Sequence, residues 1–123
     1  MRRSLLKYLA DLQLALTELE DIVGGKSLDE YLDSLQLRRA TEREFIIIAE
    51  VISRIRHHFP EATDRIERIA PIKNFRNILV HEYESIQDEW VWTNATLHAR
   101  ILHREVDEWV MELDPTWNPG QGL

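Results

Sequence analysis

Residues 76–83 of this 123-residue chain read Arg76-Asn77-Ile78-Leu79-Val80-His81-Glu82-Tyr83, gathering a guanidinium, an amide, an imidazole and a phenol around a short apolar run. An imidazole with a pKa near neutrality can take or give a proton in the physiological range. A guanidinium holds a permanent charge in a planar fork that matches phosphate oxygens. The two residue types suit proton transfer and the binding of a phosphate or other oxyanion. Asn77 and His81 are four apart, so on a helix they share a face and can orient one another. Arg76 and His81, five apart, stand roughly 140° apart around a regular helix and about 7.5 Å along it. They converge only if the helix end bends, if the arginine reaches across, or if two copies of the helix meet on a two-fold axis. Tyr83 returns to nearly the face of Arg76. On residue types alone the plainer reading is that Arg76 and His81 are polar residues at the edge of a well-packed helix and Tyr83 a half-buried phenol.

Other chemistries find less support. The chain has no cysteine, which removes thiolate nucleophiles, iron–sulfur clusters and the common zinc sites. His57-His58 and His98…His103 lack the three- or four-residue spacing that aims two rings at one ion, and there is no His-Glu-x-x-His. No metal and no cofactor are expected. Gly24-Gly25 lacks the lysine and hydroxyl spacing of a phosphate loop and reads as a helix stop. No serine has the Gly-x-Ser-x-Gly surround of a hydrolase nucleophile.

The elements that must position residues 76–83 are helical. Leu5, Leu9, Leu12, Leu16, Leu19 and Val23 alternate spacings of four and three and predict a first helix ending at Gly24-Gly25. Ser27 and Glu30 have the form of a capping box opening a short second helix through Leu32. Phe45, Ile48, Ile52, Ile55 and Phe59 predict a third helix, starting after the charged segment 38–44 and stopping at Pro60. Ile46 and Ile47 broaden its apolar face beyond the needs of one neighbour, which fits either a central position in a monomer or a dimer contact. Pro71 can open the helix that carries Ile72, Phe75, Ile78 and Leu79. Ala95, Ala99, Leu102, Val106, Trp109 and Leu113 mark the last helix, stopped by Asp114-Pro115. With no period-two pattern, the expectation is an all-α, antiparallel bundle of five to six helices over residues 1–113, followed by a loose tail over 114–123.

The net charge of −7 argues against a protein that grips nucleic acid through overall basicity. Residues 38–76, however, hold nine Lys/Arg against six Asp/Glu, leaving six against sixteen elsewhere. A basic cleft for an anionic polymer would draw on Arg76 and Lys73, with Arg39 or Arg43 from the preceding long helix. The longest apolar run, Phe45 to Ala49, is far too short to span a bilayer, and the N-terminus has no continuous apolar region. A cytoplasmic location is the expectation.

Arg76-x4-His81-x-Tyr83 resembles the Arg-x4-His-x-Tyr signature of the HepT-like toxins of the HEPN superfamily, small all-helical ribonucleases found beside MntA-type minimal nucleotidyltransferase antitoxins. The likeness extends to Leu28-Asp-Glu-Tyr-Leu32 after Gly-Gly-Lys, and to Arg43…Phe45-Ile-Ile-Ile-Ala-Glu50, similar to the family's Arg-x-x-Glu-Ile-Ile-Gly-Glu helix. It covers most of residues 5 to 113. Departures are Ala49 where the family often has glycine, and Pro71-Ile-Lys-Asn where a Trp-Arg is frequent. The resemblance implies a type II (or type VII) toxin–antitoxin component: a homodimeric, metal-independent endoribonuclease with Arg76 and His81 catalytic, supported by Asn77. It also implies a nucleotidyltransferase partner that adenylylates Tyr83. The alternative, since the superfamily includes inactive members, is a non-catalytic module that binds a nucleotidyltransferase or nucleotide.

Overall fold

The computed structural model describes residues 2–70 and 87–117. Among them no strand occurs, and the helices form the expected all-α bundle. The first helix, α1 (Arg2–Val23), buries Leu5, Leu9, Leu12, Leu16, Leu19 and Val23, the residues that its sequence spacing selects, together with Leu6 and Ala15. It ends at Gly24, whose N–H donates to Glu20 O at 2.8 Å. Gly25 then takes the left-handed backbone, φ +74, that glycine adopts without steric cost.

The second helix, α2 (Leu28–Asp33), opens on the anticipated capping box: Glu30 N–H donates to Ser27 Oγ at 3.1 Å and Ser27 N–H to Glu30 Oε1 at 3.0 Å. The long helix α3 (Leu35–His58) begins well before the apolar repeat that announces it. Ser34 caps it, accepting from Leu37 N–H at 3.1 Å. Residues 38–44 are therefore helical. Their straight-chain charged residues are good helix formers, Arg39 pairs with Glu42 one turn on, and Thr41 and Glu44 continue the buried stripe of Phe45, Ile48, Ile52 and Ile55 toward the N-terminus. The helix stops at Phe59-Pro60 as the sequence requires.

A 3₁₀ turn (Pro60–Ala62) leads into α4 (Thr63–Ile69), which has only Ile66 fully buried and so carries no apolar repeat of its own. The last rod starts earlier than its alanine and leucine spacing indicates. It runs through α5 (Asp88–Thr93), a π-helical segment (Asn94–His98) and α6 (Ala99–Leu113) without leaving helical backbone angles. In the π segment Ala99 N–H reaches back five residues to Asn94 O. Three side chains bond into the carbonyls of the preceding turn: Thr93 Oγ1 to Glu89 O at 3.0 Å, Asn94 Nδ2 to Trp90 O at 2.9 Å and Thr96 Oγ1 to Trp92 O at 2.8 Å. Such competing donors loosen the regular ladder and favour the wider turn.

Helix α1 lies between α3 and α6, antiparallel to both, as the pair Tyr8–His58 and the pairs Gln13–Asp107 and Glu20–His103 show. Its buried leucines meet Phe45, Ile48, Ile52 and Ile55 on one side and Ala99, Leu102, Val106 and Trp109 on the other. Each fully buried leucine or isoleucine contributes about 1.5–3 kcal/mol by leaving water. Trp117, beyond α6, also packs partly buried against this core. The bundle has two distinct ends. Near one lie α2, the start of α3 and α5, tied by Arg38 to Asp88; near the other lie the end of α3, α4 and the end of α6, tied by Arg65 to Glu112.

Candidate functional site

Of the residues assigned chemistry from the sequence, Lys73, Arg76, Asn77, His81 and Tyr83 lie outside the described residues. Arg39 and Arg43 fall within them, on the first half of α3. Four residues apart on one helix, they share a face, and both are exposed. Their surroundings differ. Arg39 Nη1 donates to both carboxylate oxygens of Glu42 at 3.1 Å, so its charge is already partly answered. The Glu42 carboxyl is held above its ordinary range chiefly by burial, against the lowering effect of Arg39. Among the described residues Arg43 makes no such bridge. Its charge instead bears on Glu44, and it is the freer of the two to meet an anion.

Glu44 is the least expected group here, only 7% exposed on the stripe that faces α1, with Oε1 lacking a hydrogen-bond donor among the described residues. Burial first, and then the like charge of Glu18 on α1, push its carboxyl above the usual range; Arg43 pulls the other way. No sequence signal marked it, because a glutamate beside an arginine in a charged segment reads as solvated surface. Arg38, next to Arg39, has a structural role. Its Nη1 donates to Leu32 O and, at 3.4 Å, to Tyr31 O, answering the last carbonyls of α2, while Nε stands 3.7 Å from Asp88 Oδ2 at the start of α5. Of the three arginines that lead into α3, one organises the bundle end and two face solvent.

Three of the histidines set aside as metal ligands, His57, His58 and His103, make other contacts. His58 stacks on Tyr8 at 5.8 Å, with His57 edge-on at 4.9 Å. His103 Nδ1 bonds Glu20 Oε1 at 2.5 Å, and its Nε2 lies 3.7 Å from Asp107 Oδ1. Among the described residues no group of three or more His, Cys, Asp or Glu side chains is arranged to hold a metal ion, and no helix is long and apolar enough to cross a membrane.

Comparison with known proteins gives one finding. A family model described as Ribonuclease HepT-like matches residues 12–109, a span from the middle of α1 nearly to the end of α6 that includes Arg76 through Tyr83. No curated protein and no solved structure gives a match.

Proposed function

Because the chain belongs to the HepT-like ribonuclease family, we propose that it is a metal-independent endoribonuclease toxin acting through Arg76 and His81. The observation that carries the reading is that the matched span contains Arg76-x4-His81-x-Tyr83 intact, within the helical order that the resemblance implies. In the reaction the 2′-hydroxyl loses its proton and its oxygen attacks the adjacent phosphorus. The 5′-oxygen leaves and is protonated, giving a 2′,3′-cyclic phosphate and a 5′-hydroxyl. His81 of one subunit removes the first proton and His81 of a second subunit supplies the last, a division of labour that a homodimer with facing motifs permits. Arg76 neutralises the charge that builds on the phosphoryl oxygens. Asn77 orients His81. Arg43, with Lys73 and Arg39, guides the RNA backbone, so binding weakens steeply with salt. DNA, lacking the attacking hydroxyl, is not cut.

Control of the toxin falls to a minimal nucleotidyltransferase of the MntA type, which transfers adenylate to Tyr83. The added phosphate then occupies Arg76 and excludes RNA. The cytoplasm, where RNA and ATP are both present, is the compartment this chemistry requires. The deciding experiment incubates purified protein with RNA in the presence of chelator. Cleavage with cyclic-phosphate ends, reduced at least 100-fold in a folded His81→Ala variant, is the expected result. An inert wild-type protein that still binds the transferase would replace this reading with a non-catalytic binding module.

A further inference from the structure

Outside the motif, the turn that ends α1 and the π segment of the last rod enclose a cavity of about 230 Å³. Val23 and Ala95 give it apolar walls; Glu20, Lys26, Thr96 and Arg100 give it polar ones, and Gly24-Gly25 lies along its rim. The charges do not cancel. Glu20 is engaged by His103, whose Nδ1 lies 2.5 Å and 3.2 Å from its two carboxylate oxygens. Among the described residues Lys26 and Arg100 are paired with no carboxylate. The turn adds a third donor: Gly24 N–H goes to Glu20 O and Lys26 N–H to Val23 O, and among the described residues the Gly25 N–H has no acceptor. A side chain at Gly25 would touch nothing within 4 Å, so the backbone there borders open space.

We propose that this cavity binds the phosphate group of a phosphate ester, through Lys26, Arg100 and the Gly25 N–H. Two exposed cations without a carboxylate partner and a glycine turn with a free amide, all lining one concavity, are the elements of anion recognition. In a chain of net charge −7 such a spot is a local exception, which concentrates anions there rather than over the surface at large. The volume lies below the roughly 300–1,000 Å³ that encloses a drug-sized ligand, so the cavity takes the phosphate and leaves the rest of the molecule outside. Glu20 sets a limit on the ligand: its carboxylate accepts a hydroxyl or amino group beside the phosphate but repels a second phosphate linked directly to it, as in a di- or triphosphate. The bearer is either an RNA backbone or a free nucleoside monophosphate. The site makes no use of Arg76 or His81 and stands whether or not the chain cuts RNA.

The test titrates the full ¹⁵N-labelled chain with inorganic phosphate at constant ionic strength. Saturable amide shifts are expected at Gly25, Lys26 and Arg100, with about tenfold weaker affinity in the Lys26→Gln/Arg100→Gln double variant. Both side chains are exposed, so the double variant should keep the wild-type spectrum elsewhere. A His81→Ala variant should retain the shifts, which separates this site from the proposed catalytic one. Repeating the titration in the His81→Ala background with adenosine monophosphate and with a short RNA identifies the bearer, as the one whose binding the double variant weakens. Shifts that fail to saturate, or that persist unchanged in the double variant, would overturn the proposal.

Discussion

The two ends of the bundle are held by different physics. At the end formed by α2, the start of α3 and α5, side chains are aimed at particular backbone groups: Ser27 and Glu30 cap one helix, Ser34 caps the next, and Arg38 joins the carbonyls of α2 to Asp88. Tyr31, fully buried there, packs its ring 5.1 Å from that of Trp92, and burial drives its phenol well above its ordinary range. At the other end rings and surface charges meet more loosely. Tyr8 stacks on His58 and meets Phe59 edge-on, Arg65 lies 5.0 Å from the Trp109 ring and pairs with Glu112, and Arg56 pairs with Glu67 at 3.6 Å. Part-buried directed contacts such as those of Arg38 and Ser34 leave a stranded partner when broken, whereas the more exposed ion pairs hand theirs to water. Stability should therefore respond more steeply to small changes at the first end.

The largest effect is expected from Arg38→Met, which keeps the aliphatic stem but strips the donors from the α2 carbonyls. It should cost about 2 kcal/mol in urea unfolding. A loss below about 0.5 kcal/mol would erase the distinction between the ends.

Glu44→Gln sharpens the contrast from the opposite direction. A carboxyl whose folded pKa is raised binds more protons folded than unfolded, so its burden on stability is absent below the unfolded value and grows as pH rises through the folded one. Glu42 shares that sign. The variant should be more stable than wild type at pH 7 by about 2–5 °C in melting temperature, and the difference should vanish near pH 4. A variant that melts lower at pH 7 would show instead that the ionised carboxylate is held favourably.

The smallest effect belongs to Glu112→Gln. Arg65 lowers the carboxyl's pKa through a hydrogen bond, but the group is exposed to solvent. Its contribution is present above the unfolded pKa and is lost as acid protonates it. Melting at neutral pH and moderate salt should match wild type within error. A clear drop would mean that the second end depends on its charges.

Legibility in the sequence followed the same division. Apolar spacing located α1, the core half of α3 and most of α6, because burial against neighbouring helices imposes the 3.6 period. The capping box was visible because its partners are three residues apart. The first turns of α3 were not, since a charged segment held by Ser34, Thr41 and Arg39–Glu42 has no apolar repeat. Helix α4 is too short to display a period. Arg76, His81 and Tyr83 were legible as a local run of chemistry, and Arg39 and Arg43 as exposed charge. Arg38 and Glu44, in the same stretch, have roles set by elements distant in sequence. Lys26 and Arg100 meet one cavity only because α1 and the last rod run antiparallel.

The π segment gives the long rod a seam in its middle. Its amides bond to more distant carbonyls, and the turn before it shares carbonyl acceptors with Thr93, Asn94 and Thr96 side chains. Amide hydrogen exchange should therefore begin at the centre of the rod as well as at its ends, dividing it into two cooperative units. The unit carrying Trp90 and Trp92 could then detach from the bundle while Leu102 through Val110 stay packed against α1.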